Sequence, residues 1–515
     1  MISNRLLWLR RFALLSSLSL LLSCAASLTS DGQRAEDPPA APREFRAAWV
    51  ASVANIDWPS RSNLTVEQQQ AEIVLMLDQA KALNLNAIVL QVRAAADALY
   101  PSPLEPWSEY LTGRQGKAPE PFYDPLKMWI EQAHARGIEL HAWLNPYRAR
   151  HSSARSALAG NHIANTHPWA VKPYGDMLWM DPAEPAAVKR TLDVVADLVH
   201  RYDVDGIHID DYFYPYPVPA GNGTELEFPD HPAWQRYLSA NGQSVRADWR
   251  REQVNKLIEQ MGSVIHKEKT WVRFGISPFG LGRAERRSAG ITGFSQYDKL
   301  YADAELWLNK GWLDYVAPQL YWPIDQPAQA FPVLLQTWTR ENTRSRHLWP
   351  GLFTSRIDNS PKSWQPEEIA RQIGLTREQP GVGGHIHFSM IALLQDRRGI
   401  ATLLKAGPYA NAALVPATPW LGAQTPDAPE LSLQQSQDPG VPDRVLIRTA
   451  GDPSVSRFSI WKRYGPRWVF AVQPASQIEL VLNNDPTLGQ PDAIVVSCIN
   501  RLGIESTRST LQLRP

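Results

Sequence analysis

The sequence predicts an α/β fold in which a (β/α)8 TIM-like barrel precedes a small all-β sandwich. Between about residues 45 and 405, short apolar segments of strand length alternate with longer helical patterns, and the alternation occurs eight times. After a Pro- and Ala-rich stretch, the remaining chain contains only short strand-like segments separated by turn residues. We therefore predict a barrel domain at residues 44–415 and a fibronectin-III-like sandwich at residues 428–515.

Eight segments are predicted to form the barrel strands. They are Arg46–Val53, Ala87–Val92, Glu139–Asn145, Gly206–Asp210, Val272–Ser277, Tyr315–Tyr321, Leu348–Phe353 and Gly384–Ser389. The helical patterns between them include Val66–Leu83, Pro125–Arg136, Pro185–Tyr202 and Val245–Glu268. An open doubly wound sheet is the alternative, but no glycine-rich phosphate loop follows the first strand, and this argues against it.

Within several of these strands an apolar set of residues alternates with a polar or aromatic set. The second set includes His141, Trp143 and Asn145, His208 and Asp210, Gln319 and Tyr321, and His385, His387 and Ser389. Because burying unpaired polar groups costs several kcal/mol, we expect this set to line an open cleft rather than a packed lumen. Barrels of this type place their active sites at the C-terminal mouth, where the polar residues accumulate.

The N-terminus has the pattern of a targeting segment. A basic start is followed by the apolar run Phe12–Leu22, which is too short for an ordinary membrane span, and then by Ser23-Cys24. We interpret residues 1–23 as a lipoprotein signal peptide and Cys24 as the lipidated residue; an ordinary signal peptide with a chance cysteine is the alternative. Ala25 resembles the residue that follows the cysteine in Gram-negative outer-membrane lipoproteins, so we expect an outer-membrane lipoprotein that faces the periplasm. Residues 24–43 are predicted to be a flexible linker.

Composition narrows the classes of partner. The formal net charge is zero, with 52 basic and 52 acidic residues and no charged block, so nucleic acid is not an expected partner. The 20 tryptophans suit a polysaccharide cleft, because flat rings stack on sugars, although about half of them are expected simply to pack the core. Cys498 is the only other cysteine, so no internal disulfide is expected after lipidation, and we expect a monomer.

The segment Asp205–Pro215, with the sequence DGIHIDDYFYP, contains the strongest catalytic candidates. Asp210 shares a strand face with His208, and Asp211 follows where the loop begins. Glycoside hydrolysis requires a carboxyl group that protonates the leaving oxygen and a second group that attacks the sugar or activates water. A structural aspartate that caps the loop is the alternative interpretation. The pair Asp210 and Asp211 is therefore predicted to be catalytic.

Several blocks of sequence resemble the bacterial glycosyl hydrolase-like 10 family over about residues 44–410. They are Phe45–Val50, Ile56–Pro59, Gln91–Arg93, Asp97–Ser102, Ala142–Arg148, Asp205–Pro215, Phe274–Gly280 and Asp314–Trp322. The resemblance implies a (β/α)-barrel glycosidase, in a family with many lipoproteins, that acts on bacterial glycans. Outer-membrane lipoproteins of the family are associated with peptidoglycan glycan strands.

A looser similarity links this motif to chitinase-type enzymes, which carry Asp-Gly-x-x-x-Asp on the fourth barrel strand. In those enzymes a Glu two places after the last Asp is the general acid, and the N-acetyl group of the substrate is the nucleophile. Tyr212 occupies that place here, and His208 replaces the middle Asp. The chitinase residues therefore cannot be transferred, and N-acetyl assistance with a different acid stays open.

The partner carboxylate is harder to assign. Asp97 is the first candidate, with Asp57 and Asp325 as others, and a loop-stabilising role for Asp97 beside Arg93 is an equal alternative. Sugar contacts or stacking platforms are expected among Arg93, Trp143, Asn145, Tyr147, Arg148, His208, Tyr214, Gln319, Tyr321, Trp322 and His387.

Three hypotheses of function follow from the sequence. The first is a glycosidase that cleaves an N-acetylhexosamine-containing glycan, such as peptidoglycan glycan strands, without metal or cofactor. The second is a metal-dependent polysaccharide hydrolase or deacetylase that uses His141, His208, His385 and His387 with Asp210, although the usual zinc signatures are missing. The third is a non-catalytic glycan-binding lipoprotein.

Overall fold

The computed structural model describes residues 37–513 apart from 222 and 439, so the predicted signal peptide and Cys24 lie outside it. Parallel strands form the centre of the fold, in the order in which they follow along the chain. Their bounds are Phe45–Val50, Ala87–Arg93, Glu139–Leu144, Gly206–Ile209, Arg273–Ile276, Tyr315–Val316, His347–Leu348 with Gly351–Leu352, and Gly384–His387.

The sheet closes into a barrel through its seventh strand. This strand is interrupted at Trp349 and Pro350; its first half pairs with Tyr315–Val316 and its second half with Gly384–His387. The Trp349 N–H donates to the Val316 carbonyl at 2.9 Å, and the Pro350 carbonyl accepts from the Ile386 N–H at 3.1 Å. Each of the eight strands thus has two neighbours, and the predicted (β/α)8 barrel is confirmed.

Helices surround the barrel and cover its apolar outer face. The first of these helices, Val66–Ala82, begins with a capping box between Thr65 and Gln68. The α-helices are Val66–Ala82, Glu109–Thr112, Pro125–His134, Ile163–Thr166, Pro185–Arg201, His231–Ser239, Arg246–Glu268, Gln296–Lys299, Ala304–Lys310, Phe331–Glu341, Pro366–Glu378, Met390–Leu394 and Ile400–Ala406. Within the described residues, none of these helices has the length and apolar character needed to cross a bilayer.

The lumen below the mouth is packed with large aromatic rings among smaller aliphatic side chains, whereas branched aliphatic residues dominate in most such barrels. Phe45 stacks on Trp349 with ring centroids 3.7 Å apart. Two glycines make room for this packing. A Cβ on Gly206 would lie 2.5 Å from the His141 ring, and a Cβ on Gly275 would lie 2.0 Å from the Tyr315 ring.

The predicted orientation of the eighth strand is wrong. Ile386 pairs in register with Ala47 and faces the lumen with it. His385 and His387 therefore point outward, where both Nε2 atoms bond the buried Tyr409 hydroxyl at 2.5 and 2.6 Å.

A small antiparallel sheet follows the third strand and was not predicted. Its strands are Arg148–Arg150, Val171–Tyr174 and Met177–Met180. Because its first strand begins only four residues after the barrel strand that ends at Leu144, it keeps Arg148 beside the barrel mouth.

Two antiparallel sheets form the all-β region at the C-terminus, as predicted. One contains Glu430–Gln434, Arg444–Arg448 and Glu479–Val481, and the other contains Arg467–Pro474, Val455–Tyr464, Ala493–Asn500 and Ser509–Gln512. Phe458, Ile460 and Cys498 belong to a separate apolar core shared by the sheets.

The C-terminal region packs against the N-terminal end of the barrel, opposite the mouth. Arg457 lies 3.5 Å from Glu139, which begins the third barrel strand. Two segments that flank the barrel also pack there: residues 37–43 of the predicted linker, and the Pro- and Ala-rich linker that follows the barrel. Thr418 is fully buried and accepts a hydrogen bond from Arg273 at 2.7 Å, and Arg43 donates to the Gly503 carbonyl at 2.7 Å. The described parts of both linkers are therefore held in place by specific hydrogen bonds.

Candidate active site

A cavity of about 310 Å³ opens at the C-terminal mouth of the barrel. Its walls combine aromatic rings with polar groups. It is lined by Trp49, Ala51, Val53, Ala54, Ile56, Gln91, Trp143, Arg148, His151, Asp210, Asp211, Tyr212, Tyr216, Ser277, Gln319, Tyr321 and Phe388. This composition suits a sugar ring, which presents apolar faces and a polar edge.

Asp210 follows the fourth barrel strand, and two side-chain donors fix its carboxyl group. The Asn145 side-chain amide lies 3.0 and 2.9 Å from its two oxygens, and the Trp143 indole N–H donates to Oδ2 at 3.2 Å. Asn145 is itself oriented by Gln91, whose amide donates to its Oδ1 at 2.8 Å. The rotamer of Asp210 is thus set by residues of the second and third strands.

Asp211 is the next residue and is held from the other side of the cleft. The Tyr216 hydroxyl donates a short hydrogen bond to its Oδ2. Gln319 also bonds it and donates to the Ser277 carbonyl at 2.9 Å. Both aspartates are almost completely buried, at 4% and 3% exposure.

Burial raises the pKa of both carboxyl groups, and repulsion from Asp211 adds to the rise at Asp210. Burial, and next the neighbouring Asp211, raise the pKa of Asp210 to about 7, against the opposing effects of Arg148 and Asn145. Burial also raises the pKa of Asp211 to about 6, although the hydrogen bond from Tyr216 favours its ionised form. Near neutral pH the pair therefore shares about one proton, which is a state suited to acid–base chemistry.

Arg148 supplies the positive charge of the cleft. It is 3% exposed, and within the described chain it has no carboxylate oxygen within ion-pair distance. Its Nε donates to the Ala94 carbonyl at 2.9 Å, and its guanidinium carbon lies 4.8 Å from the centre of the Tyr212 ring. The positive charge of Arg148 lowers the pKa of both Asp210 and Asp211 and so opposes the effect of burial.

The structure brings eight of the predicted site residues to the cleft or directly beneath it. Asn145 contacts Asp210 from below, and His208 lies under Trp49, whose indole N–H donates to its Nε2 at 3.2 Å. The other six line the cavity itself and are Trp143, Arg148, Asp210, Asp211, Gln319 and Tyr321.

Asp97 does not reach the cleft. Its Oδ1 accepts the N–H groups of Ala94 and Ala95 at 3.1 and 2.8 Å, so its carboxyl group stabilises the loop after the second strand. Arg93 pairs instead with Glu105 at 2.8 Å. Of the other candidates, Asp57 is buried and accepts the Ala51 N–H at 2.8 Å, and Asp325 is exposed and does not line the cavity.

Five further predicted contacts also lie away from the cavity: Arg93, Tyr147, Tyr214, Trp322 and His387. Tyr147 and Tyr214 are buried in the main hydrophobic core. Trp322 packs edge-on against Phe279 with ring centroids 5.6 Å apart. His387 faces outward, because its strand has the opposite phase to the one predicted.

Several cavity residues escaped the sequence analysis: Trp49, Gln91, Tyr216 and Phe388 among them. Ser277 lines the cavity, as its alternation with Phe274 and Ile276 in the fifth strand predicts. A signal for Trp49 was present, because alternation in the first strand places Phe45, Ala47 and Trp49 on one face. Tyr216 comes from a loop, where no periodicity indicates which side chains turn back to the site.

The histidines proposed as metal ligands are divided between two sides of the barrel wall. His141 and His208 lie in the lumen, where both bond the Tyr315 hydroxyl, while His385 and His387 point outward. Among the described residues, no group of three or more His, Cys, Asp or Glu side chains is arranged to hold a metal ion. The residues present thus do not fit the metal-dependent hypothesis.

A closed (β/α)8 barrel with paired aspartates in an aromatic cleft at its mouth defines a barrel enzyme of the glycoside hydrolase class. The sequence profile of the family described as Glycosyl hydrolase-like 10 matches residues 44–368. The chain belongs to this family and is a glycoside hydrolase, as the resemblance implied.

Two relatives agree with this assignment. The chain is 42% identical over 398 residues to the glycosyl hydrolase YngK of Bacillus subtilis (strain 168), covering 76% of each chain. It is 32% identical over 422 residues to the glycosyl hydrolase DigH of Escherichia coli (strain K12), covering 75% of this chain and 93% of the relative. Among solved structures, the PgaB (BpsB) glycoside hydrolase domain of Bordetella bronchiseptica matches with 15% identity and a TM-score of 0.47, over 71% of this chain and 98% of that domain.

Proposed function

We propose that the protein cleaves glycosidic bonds next to N-acetylhexosamine units of a bacterial glycan, with peptidoglycan glycan strands as the substrate. The observation that supports this is the Asp210–Asp211 pair, which shares about one proton at the bottom of an aromatic cleft. One carboxyl group can then donate a proton to the leaving oxygen while the other stays negative.

The placement of the pair favours participation of the substrate. Asp210 and Asp211 are consecutive and follow one strand, so their backbone atoms lie at one point of the cleft wall. Among the described residues, no other carboxyl group lines the cavity. A protein carboxylate facing the pair would be needed as nucleophile in a double displacement or as base in an inverting reaction. The N-acetyl group of the sugar supplies an internal nucleophile instead.

In this reaction the acetamido oxygen attacks the anomeric carbon, and the bond to the leaving oxygen breaks. One aspartic acid transfers its proton to that oxygen, and the other aspartate accepts the acetamido N–H and stabilises the positive charge of the cyclic intermediate. Water then opens the intermediate, and the first aspartate takes up a proton from it. Trp143 and Asn145 keep Asp210 in the required rotamer throughout.

The test is incubation of the purified protein with peptide-stripped peptidoglycan glycan strands, with products identified by mass spectrometry. We expect short saccharides with free reducing ends. Asp210→Asn should lower the rate roughly 10²- to 10⁴-fold, because it removes an acid–base group. Asp325→Asn is the matched control, since Asp325 is an exposed aspartate outside the cavity, and it should retain full activity.

Chemical removal of the acetyl groups tests the proposed nucleophile separately. De-N-acetylated strands should not be cleaved, and equal cleavage of both substrates would eliminate substrate assistance. Loss of acetyl groups from intact strands would instead identify a deacetylase, and tight binding without products would identify a glycan-binding protein.

We further propose that the enzyme acts at the cell envelope as an outer-membrane lipoprotein anchored through Cys24. The pattern of residues 1–24 supports this proposal. Incorporation of labelled palmitate that is lost in a Cys24→Ser variant would be the expected result, and a labelled Cys24→Ser variant would contradict it.

A further inference from the structure

A chain of hydrogen-bonded side chains runs through the barrel lumen below the cleft. Glu139 lies 3.3 Å from His141 Nε2, and His141 Nδ1 lies 2.9 Å from the Tyr315 hydroxyl. That hydroxyl lies 3.0 Å from His208 Nδ1, and His208 Nε2 lies 2.9 Å from the Ser277 hydroxyl. Each member is at most 2% exposed, and only Ser277 lines the cavity. The acid–base chemistry proposed above does not use this chain.

The direction of every bond in the chain follows from its two ends. The indole N–H of Trp49 can only donate, and it points at His208 Nε2 from 3.2 Å, so this nitrogen must be the acceptor. Burial lowers the pKa of His208 well below its usual range, so the ring is neutral and carries its proton on Nδ1.

The remaining protons are then fixed in turn. His208 donates from Nδ1 to the Tyr315 oxygen, and Tyr315 donates to His141 Nδ1. His141 carries its proton on Nε2 and donates it to Glu139, whose carboxylate is also paired with Arg273 at 3.0 Å. At the upper end, the Ser277 hydroxyl shares the single lone pair of His208 Nε2 with the Trp49 N–H, as the second donor of a three-centre bond, and its oxygen lone pairs remain for another partner.

We propose that this chain is a positioning relay that holds His208 as an acceptor, so that Trp49 and Ser277 present a fixed floor to the substrate. In this arrangement Ser277 acts as a hydrogen-bond acceptor for a sugar hydroxyl or amide N–H, and the Trp49 indole is locked as an apolar platform. The inference rests on the proposed glycan substrate. It assigns Ser277 and Trp49 as specificity-determining contacts, and His208, Tyr315 and His141 as positioning residues.

The test compares two tyrosines that each bridge two histidines and are each fully buried. Tyr315 bridges His141 and His208 inside the lumen, whereas Tyr409 bridges His385 and His387 outside the barrel. Tyr315→Phe and Tyr409→Phe therefore remove the same group from similar surroundings, and only the first should disturb the cleft floor. Thermal unfolding of both variants shows whether they are equally folded.

The first readout is the tautomer of His208, measured by NMR of protein labelled with ¹⁵N-histidine and assigned with a His208→Gln variant. We expect the Nδ1–H tautomer in the wild type and in Tyr409→Phe. In Tyr315→Phe the Nδ1–H group loses its acceptor while Trp49 still donates to Nε2, so the tautomer should stay the same and the Nδ1–H resonances should shift. An Nε2–H tautomer in the wild type, or unchanged Nδ1–H resonances in Tyr315→Phe, would overturn the proposal.

The second readout is hydrolysis of peptide-stripped glycan strands. Tyr315→Phe should lower kcat/KM roughly 10- to 100-fold, mostly through KM, because the relay orients binding groups and transfers no proton. Tyr409→Phe should stay within about twofold of wild type. An equal loss in both variants would mean that the tyrosines are only structural.

Ser277→Ala provides a second route that leaves Tyr315 and both lumen histidines in place. It should raise KM while the His208 tautomer stays unchanged, since Trp49 still donates to Nε2; an unchanged KM would exclude Ser277 as a substrate contact. If no variant and no wild-type protein cleaves the strands, the proposed function fails. The tautomer measurement would still confirm or reject the relay itself.

Discussion

The carboxyl group of Asp210 is subject to two opposing influences. Burial and Asp211 favour its neutral form, while the amide of Asn145 and the indole of Trp143 donate to its charged form. The proton is therefore held weakly enough to be transferred near neutral pH. This balance depends on single hydrogen bonds, and it can be altered one donor at a time.

Removal of one donor should shift the pH dependence of the reaction. In Asn145→Ala the charged form of Asp210 loses its amide donor, so its pKa should rise and the corresponding limb of the kcat/KM profile should move upward by roughly one pH unit. Phe388→Leu changes the cavity wall without touching Asp210, and its profile should keep the wild-type limbs. An Asn145→Ala profile with unmoved limbs would contradict the assignment.

The same aspartate should make the folded protein less stable as pH rises. Burial raises its pKa to about 7 in the folded protein, from an ordinary value of 3.8, so the folded state binds more protons between these pH values. The free energy of unfolding should therefore decrease between about pH 4 and pH 7. Asp210→Asn should lack this contribution and be more stable than wild type at pH 7 by on the order of 1 kcal/mol. Denaturant titrations of both proteins across this range measure it, and parallel curves would contradict it.

For individual residues, the sequence identifies side chains that lie at the C-terminal end of a barrel strand and point into the mouth, such as Asp210, Asn145 and Tyr321. It fails for Asp97, because short loops bring backbone N–H groups to a carboxylate in ways that spacing does not reveal. It also fails for Tyr216, which returns to the site from a loop. These are contacts of tertiary structure, and a local pattern contains no information about them.

Among the elements, the fifth barrel strand shows how closely the lumen is packed. Gly275 faces the ring of Tyr315, where a methyl group would lie about 2 Å from three ring atoms. Gly275→Ala should destabilise the protein by about 1–3 kcal/mol, because the ring must leave its hydrogen-bonded position. Gly374→Ala is the control, since nothing lies within 4 Å of its added methyl in the helix Pro366–Glu378, and it should be neutral or stabilising by up to about 1 kcal/mol. Chemical denaturation measures both, and equal effects would contradict the packing argument.

The strands themselves were well predicted because alternation is a local property. Glu139–Leu144 and Gly206–Ile209 lie within their predicted segments, and their apolar residues do face the helices. The eighth strand was assigned the wrong phase because its outward-facing residues, His385 and His387, are polar, whereas Ile386 faces the lumen. Polarity therefore does not distinguish the lumen side of this strand from its helix side. His385 and His387 form hydrogen bonds to the Tyr409 hydroxyl on the helix side.

At the scale of the whole molecule, the β-sandwich and the barrel are joined by buried charges. Arg457 of the sandwich reaches Glu139 at 3.5 Å and the Gly137 carbonyl at 3.0 Å. Glu139 is 1% exposed and is the lower end of the lumen relay. The sandwich thus contributes to the electrostatic environment of the barrel interior.

Loss of this contact should cost more than loss of a surface pair on the same strand. Arg457→Met should reduce the free energy of unfolding by about 1–3 kcal/mol, because Glu139 stays buried with one partner fewer. Arg463, which pairs with Asp492 at the surface of the sandwich, is the control, and Arg463→Met should cost less than about 1 kcal/mol. Denaturant unfolding measures the free energy of unfolding of both variants. Similar losses would show that the Arg457–Glu139 contact adds no more stability than a surface pair.

The placement of residues 37–43 determines how an anchored enzyme would face its surroundings. This segment ends at the bottom of the barrel, where the Pro38 carbonyl accepts from Arg508 at 2.9 Å and Arg43 pairs with Glu505 at 3.3 Å. A lipid on Cys24 would therefore tether the molecule by the end opposite its cleft. The thirteen steps from Cys24 to Asp37 allow a reach of at most about 45 Å. The mouth would be turned away from the bilayer, toward any polymer that lies beyond the tether.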